Sequence, residues 1–457
     1  MNAAHLNRAK NHAKNLALAM ALLSFTISLA AQQPNHARDQ SSQASTVTTI
    51  NDIFAEVGRR VPGFGGMFVD EDKDTLYVYL VPGEVGDVPQ VDQAITDVFG
   101  SARPPGHQLE VLEGRYTFLQ LKAWLDEMTP RILGMSGTVL TSIDQGKNRL
   151  RVGVETLALA PAVEAELTAM GIPLEAVNID LASPAKFPET LPNQLAPVAM
   201  TLRDKFRPVV GGLQIKISTT MRDASAKQCT LGFLATRKNV PGFVINSHCV
   251  FGGPLMGNKV YQPTVSKTTQ VGQATFDPPA FKNKQDPKCP PLKVCRYSDS
   301  AFVKLDNPDD GMLGFIAQPE VKSDEWDGVK KFRIVDRAVS TKGMKVTRVS
   351  SQSGRWEGEV VDPCENKKSN TDNVTYLCQT IVSSAHDVDA GDSGSPVFTI
   401  NTPPVAEDKI VDVKLLGILW GTVSGDDTMW IISPIQNIEM LKTELGPLKV
   451  CDPRVGC

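Results

Sequence analysis

Three short segments carry side chains that together could make a nucleophile. Gly242-Phe-Val-Ile-Asn-Ser-His248-Cys249 ends an apolar run on a histidine, and Tyr297-Ser-Asp299-Ser-Ala-Phe-Val303 sets an aspartate immediately before another apolar run. Asp389-Ala-Gly391-Asp392-Ser393-Gly394-Ser395-Pro396 holds a serine in a turn flanked by glycines. A serine hydroxyl attacks well only when a neighbouring imidazole takes its proton, and a carboxylate must hold that imidazole in one tautomer. Glycines beside the serine let backbone N–H groups turn toward a developing oxyanion. A lone histidine or a lone aspartate before a strand is more often structural, but the inventory here is small. Beyond residue 183 only His248 and His386 occur, and His386 stands in the serine's own loop without a flanking motif. If Ser393 is a nucleophile with a histidine base, His248 is its partner.

The segments Asn-Ser-His248-Cys249, Asp299-Ser-Ala-Phe-Val and Gly391-Asp-Ser393-Gly-Ser-Pro resemble the three hallmark motifs of the trypsin/chymotrypsin-like serine proteases, in that family's order. The order excludes the α/β-hydrolase esterases, whose triad runs serine, acid, histidine and whose turn needs glycine two residues after the serine; Ser395 stands there. The resemblance covers about residues 209–440. It implies Ser393 as nucleophile, His248 as general base then acid, and Asp299 as the group that orients it. The N–H groups of Gly391 and Ser393 would form the oxyanion hole. Leu415-Leu-Gly-Ile-Leu419-Trp420-Gly421 is similar to the family's substrate-pairing strand, with Trp420 and Gly421 on the pocket wall, although Leu419 replaces the usual serine. Asp387, six residues before Ser393, stands where trypsin-like members carry the acid at the pocket floor; the alternative is a solvated loop acid.

In the family, the aspartate matching Asp392 is buried and requires a cationic partner. Val209-Val-Gly-Gly212 resembles the N-terminus freed in animal zymogens, yet Pro208 follows Arg207 and disfavours that cleavage. Val346-Thr-Arg348…Ser353-Gly354…Gly358-Glu-Val360 is similar to a segment of the bacterial alpha-lytic-type members, and this makes Arg348 the preferred partner. Those members carry an N-terminal pro-region that assists folding and inhibits the enzyme.

Around these motifs, the elements that must position them change character along the chain. From about residue 209, short Val/Ile/Leu/Phe runs alternate with Gly, Pro, Asn and Asp clusters, a pattern of antiparallel strands in barrels or a sandwich. The resemblance implies two antiparallel β-barrels, and a helix is expected at about 435–445. Residues 51–182 contain no cysteine and switch between periods of 2 and 3.6. A helical start at Ile53–Val57, strands at 66–69 and 75–80, a helix at 91–99 and a strand at 109–112 are followed by the same order. The second set is a helix at 118–128, strands at 138–143 and 149–154, a helix at 162–170 and a strand at 174–181. This predicts an α+β region of two similar α-β-β-α-β units. Pro184, Pro188, Pro192, Pro197 and Pro208 mark residues 183–208 as a linker.

Composition bounds the rest. The chain has 457 residues, 41% of them hydrophobic and 21% charged, with net charge −4. That suits globular units and offers no basic patch for nucleic acid. Arg8, Lys10 and Lys14 precede the apolar run Leu16–Leu29, and Ser28 and Ala30 fit a cleavage site, so residues 1–30 read as a signal peptide. A membrane anchor is the alternative, but a span takes about 20 apolar residues. No later stretch is long enough to cross. Residues 31–50 read as a polar, disordered leader.

All eight cysteines lie between Cys229 and Cys457. Such an even count fits disulfides in an exported domain, extracellular or periplasmic. Nearest-neighbour pairing joins Cys229 to Cys249, Cys289 to Cys295, Cys364 to Cys378 and Cys451 to Cys457, one of about 105 possible connectivities. A zinc site is the competing use, but no Cys-x-x-Cys is present; no metal or other cofactor is expected. The expected partners are a protein or peptide substrate and the chain's own residues 51–182 in cis. Those residues read as a pro-region or, alternatively, as an attached binding module. The competing function for the whole is a non-catalytic secreted binding protein on a protease fold.

Overall fold

The computed structural model describes residues 49–84, 87–105, 108–188, 199–220, 222, 225–250, 258–400 and 410–451. The expected signal peptide, residues 1–30, lies outside them. The expected leader ends earlier than residue 50, because Thr49 already caps a helix: its hydroxyl accepts from the Asp52 N–H, and the Asp52 carboxylate accepts from the Thr49 N–H. This reciprocal cap satisfies helix-end donors that otherwise have no partner.

The N-terminal region follows the repeated order. Ile50–Arg60 (α1), Phe64–Asp70 (β1), Thr75–Leu80 (β2), Val88–Phe99 (α2) and Gln108–Glu113 (β3) form the first unit. Phe118–Ile132 (α3), Thr138–Asp144 (β4), Arg149–Val154 (β5), Ala160–Ala169 (α4) and Val177–Leu181 (β6) form the second. In each, the first two strands pair antiparallel and the third lies parallel to the second. The helices bury one face in a common core that includes Phe54, Ile95, Phe118, Leu125 and Leu167. Asn148 joins the units: its amide donates to the carbonyls of Gly65 and Tyr116 and accepts from the N–H groups of Arg115 and Tyr116.

The remaining strands are Ala185–Lys186 (β7), Val209–Gly211 (β8), Gln214–Ser218 (β9), Lys227–Thr230 (β10), Phe233–Arg237 (β11), Val240–Ile245 (β12), Lys259–Tyr261 (β13), Gln270–Phe276 (β14), Val294–Arg296 (β15) and Ala301–Leu305 (β16). They continue with Gly311–Ala317 (β17), Lys331–Arg337 (β18), Lys345–Ser350 (β19), Gly354–Lys368 (β20), Val374–Ser384 (β21), Pro396–Ile400 (β22), Ile410–Val423 (β23), Asp426–Pro434 (β24) and Leu448–Lys449 (β25). The first antiparallel sheet runs β10-β9-β13-β14-β16-β12-β11-β25. Because β10 and β11 are separated only by Leu231 and Gly232 yet stand far apart in that order, the sheet wraps round on itself. In the second, β19, β20, β21, β24, β23 and β22 pair antiparallel in a closed ring. The architecture is therefore the two-barrel, chymotrypsin-like arrangement behind an α+β region. Strand β23 is buried throughout Leu415–Trp420 because two apolar clusters flank it: Leu415 and Ile418 join one that runs from the first sheet into the second, Leu416 and Leu419 one within the second.

Two expectations change. Residues 199–208, read as linker, already belong to the barrels: Leu202 is fully buried, donates to the Asp324 carbonyl and accepts from Gln214 N–H. At the other end of that segment, Ala185 is fully buried and pairs with β23. The helix expected at 435–445 stops after Ile435–Ile438 (α5). The chain then turns so that the Glu444 carboxylate can accept from Tyr297 N–H and Ser298 Oγ.

Candidate active site

His248 sits in a single 3₁₀ turn at the end of β12. A disulfide from Cys249 to Cys229 in β10 braces that turn, and Lys227 Nζ donates to the carbonyls of His248 (2.8 Å) and Val250 (3.2 Å). Asp299 lies two residues before β16, is 1% exposed, and donates its N–H to Ser433 Oγ. Both residues come from the first barrel. Ser393 comes from the second, in the turn that opens β22, so the site lies where the barrels meet. Gly391 and Gly394 hold φ of +99° and +97°, and a Cβ on Gly394 would lie 2.1 Å from the Thr230 carbonyl oxygen. Only glycine fits a left-handed position with backbone that close.

The three side chains converge. His248 Nε2 lies 2.9 Å from Ser393 Oγ, while Nδ1 bonds to Asp299 Oδ2. The other carboxylate oxygen, Oδ1, accepts the His248 N–H at 3.0 Å. Complete burial works against ionisation of Asp299, yet His248 and Arg296 outweigh it and hold the carboxyl below its ordinary range. Among the described residues, neither the Gly391 nor the Ser393 N–H makes a hydrogen bond, which leaves both donors available.

Asp392 and Arg348 are both fully buried, with Arg348 Nη1 3.5 Å from Asp392 Oδ2. The Asp392 carboxylate also accepts from Ser353 N–H, Ser353 Oγ and Asp389 N–H. Arg348 donates to the Asp387 carbonyl at 2.7 Å and lies over the Trp430 ring, its centre 4.4 Å from the guanidinium carbon. Burial pushes the arginine below its usual value while Asp392 opposes this; arginine remains a cation across the working pH range. Of the two partners weighed for Asp392, Arg348 is at hand, while Val209 and Val210 are buried within β8.

Asp387 departs from the pocket-floor reading. It is exposed, and its backbone rather than its carboxylate is engaged, through Arg348. A floor acid would be walled in by the pocket it serves. Trp420 is fully buried and donates Nε1–H to Gln379 Oε1, which also accepts from Ser433 Oγ. Ser433 of β24 thus puts a hydroxyl on the Asp299 backbone, while Leu419 of β23 is apolar and buried. Spacing gave no signal for Ser433, since β24 merely lies beside β23.

Sequence reasoning also missed Arg296, Asp277 and Phe187. Arg296 donates to Ser247 Oγ (2.7 Å), Asp277 Oδ1 (3.1 Å) and the Ser298 carbonyl (3.0 Å), tying the histidine turn to the aspartate turn. The Phe187 ring stacks on His248, centroids 4.2 Å apart, and meets Trp420 edge-on at 5.9 Å. Its neighbours Ala185 and Lys186 pair antiparallel with Val423 and Thr422 of β23.

The expected bridges Cys229–Cys249, Cys289–Cys295 and Cys364–Cys378 are all formed. Cys289 and Cys295 are fully buried in one small cluster with Phe281 and Tyr297, so their bridge closes the loop that leads into the Asp299 turn. Cys451 is disulfide-bonded, and the expected partner Cys457 lies outside the described residues. Cys229, Cys249 and His248 cluster closely, but both sulfurs are spent in a bridge and offer no thiolate to a metal. No helix among the described residues is long and apolar enough to cross a membrane.

No protein-family model matches this chain, and no curated protein matches it. Solved structures do. The chain is similar to the Nocardiopsis protease NAPase, with 19% identity, 50% of this chain and 92% of that chain covered, and a TM-score of 0.32. It is also similar to a chymotrypsin from Cellulomonas bogoriensis (17% identity, 50% and 91% covered, TM-score 0.31). A third similar structure is the alpha-lytic protease homolog N4 (16% identity, 50% and 93% covered, TM-score 0.31).

Proposed function

We propose that the chain is an exported serine endopeptidase whose N-terminal region, residues 51–182, is a folding-assisting and inhibitory pro-region. The observation that carries the catalytic part is the 2.9 Å contact from His248 Nε2 to Ser393 Oγ, with Asp299 on the opposite ring nitrogen. Ser393 Oγ attacks the scissile carbonyl while His248 Nε2 takes its proton, and Asp299 stabilises the imidazolium. The N–H groups of Gly391 and Ser393 receive the oxyanion. The C–N bond breaks as His248 returns the proton to the leaving amine, leaving an acyl ester on Ser393. Water, deprotonated by His248, then hydrolyses that ester and regenerates the serine. Arg348 neutralises Asp392 beneath this turn and holds it in shape.

Inhibition is supported by β7 and Phe187, which follow that region directly in the chain and lie on β23 and the His248 ring, where a substrate would pair. Three formed disulfides are compatible with an oxidising, extracellular or periplasmic location.

A fluorophosphonate probe on the exported protein tests the catalytic reading. Labelling should fall on Ser393, and His248→Ala should slow it by about a thousandfold or more. Labelling that is absent, or indifferent to His248→Ala, would sink it. A chain beginning near residue 200 that folded unaided to full activity would remove the pro-region reading.

A further inference from the structure

Residues 184–187 enter the groove as an added strand, and the side-chain contacts they make differ from one residue to the next. Ser424 N–H donates to the Pro184 carbonyl at 2.8 Å, and the Ala185 carbonyl accepts from Asn370 N–H at 3.0 Å, so the strand is held from two sides. Phe187 donates its N–H to Thr371 Oγ1 at 3.1 Å. Main-chain pairing of this kind gives affinity without selectivity, and selectivity comes from what each side chain meets. Ala185 is fully buried among Tyr376, Ile381, Trp420 and Ile431. Lys186 reaches Asp427, Nζ to Oδ1 3.1 Å, and Thr422 Oγ1 donates to that same oxygen at 2.9 Å. Thr422 is also the backbone partner of Lys186, so one residue fixes both the strand and the acid that meets it. Phe187 covers the His248 ring and abuts Trp420.

Resting on the protease reading, we infer that this groove selects substrates by the same three contacts. A small residue goes against Tyr376 and Trp420, a basic residue against Asp427, and an aromatic one against His248, in the order small–basic–aromatic. Asp427 is the specificity-determining acid, a role distinct from the one expected for Asp387. Its side chain is 40% exposed against 19% for Lys186, so the pair biases binding rather than gating it. Phe187 gives the larger contribution, since aromatic contacts exceed exposed ion pairs.

The test has two arms. In the full chain carrying Ser393→Ala, hydrogen exchange is followed at the amides of residues 185–187. Asp427→Lys should accelerate it about threefold to fivefold, the range of a partly exposed pair, and adding Lys186→Asp should restore it. In the second arm, the exported, naturally processed protein is given internally quenched peptides containing Ala-Lys-Phe-X with X varied. Changing Lys to Glu should lower kcat/KM about threefold to fivefold, and Phe to Ala about tenfold. Asp427→Asn should level the Lys/Glu ratio and keep the Phe/Ala ratio. Exchange indifferent to the charge reversal, or a Lys/Glu ratio unchanged in Asp427→Asn, overturns the inference even in a working protease. Exchange that responds while every peptide stays uncut fails the protease reading and leaves a groove that recognises this peptide pattern.

Discussion

The two α-β-β-α-β units have the same order and the same strand pairing, yet they meet the barrels in different ways. The second unit continues the barrel's own sheet. Leu140 and Thr141 of β4 pair with Lys367 and Asn366 of β20, and the Asn366 amide donates to Thr129 and Thr141 hydroxyls. Beside this seam, Arg151 lies 3.2 Å from Glu365, itself 2% exposed, and Glu365 lies 2.7 Å from the buried Lys367. Cys364 and Cys378 pack into the N-terminal core, so the bridged β-hairpin is shared. The first unit touches mainly through two turns, Glu71–Lys73 and Gly100–Ala102. Val69 N–H donates to the Lys342 carbonyl, Lys345 N–H to Glu71, and Lys345 and Lys414 reach Asp72 and the Ser101 carbonyl. A cleft of about 1160 Å³ opens between this unit and the outer face of β19 and β20. Supersecondary units of the same topology thus dock by whichever edge they offer: a free strand edge buries backbone bonds, while turns offer mainly solvated charges.

The contrast can be broken from either side. The largest effect is expected from Gly343→Ala, because a Cβ there would lie 1.8 Å from the Val69 carbonyl oxygen on a backbone with φ +86°. Displacing main chain should cost the first unit's docking about 3 kcal/mol or more. Hydrogen exchange should rise in 64–80 and stay low in 138–154; equal loosening of both would make the units a single docked body. Next, Arg151→Met leaves Glu365 buried with Lys367 alone. About 2 kcal/mol should be lost, below the usual figure for a buried pair because Arg151 is 29% exposed, and the denaturation midpoint measures it.

The strand at the second unit's seam also carries a titrating group, Asp362. Burial first, and the neighbouring Glu365 second, push Asp362 up to about 7, with Arg151 opposing. Its pKa is raised in the folded protein, so the protonated form favours the folded state. The stability this group contributes should be greatest below about pH 4 and be lost as pH rises through 7. Asp362→Asn should flatten that dependence, read as the denaturation midpoint at pH 5 and pH 8; a steeper profile would reverse the assignment. The smallest effect belongs to Lys345→Ala. That pair with Asp72 is 52% and 82% exposed, and the loss should stay under about 1 kcal/mol and vanish in high salt.

Much of the N-terminal region and of the reacting site could be read from sequence because both are written locally. Alternating strands and helices of period 3.6 each announce themselves within a dozen residues. So do a glycine-flanked serine, a histidine at a strand end and an aspartate before a strand. Where a local rule existed but context overrode it, the reading slipped. Proline density marked 183–208 as linker, yet Leu202 is drawn into a core and Ala185 onto a strand edge. The helix expected to run to 445 ends early where Glu444 turns in to meet Tyr297 and Ser298.

The sequence by itself determined which residue types could react, their order, and the repeat that precedes them, since these depend on neighbours along the chain. Only the tertiary structure decided that Arg348 rather than Val209 faces Asp392, that Ser433 puts its hydroxyl on the Asp299 backbone, and that Asp387 is exposed while Asp427 meets Lys186. Each of these is a contact between segments far apart in the chain. Spacing cannot rank such contacts, because pairing, burial and charge compensation are settled only when strands from both barrels and the N-terminal region close on one another.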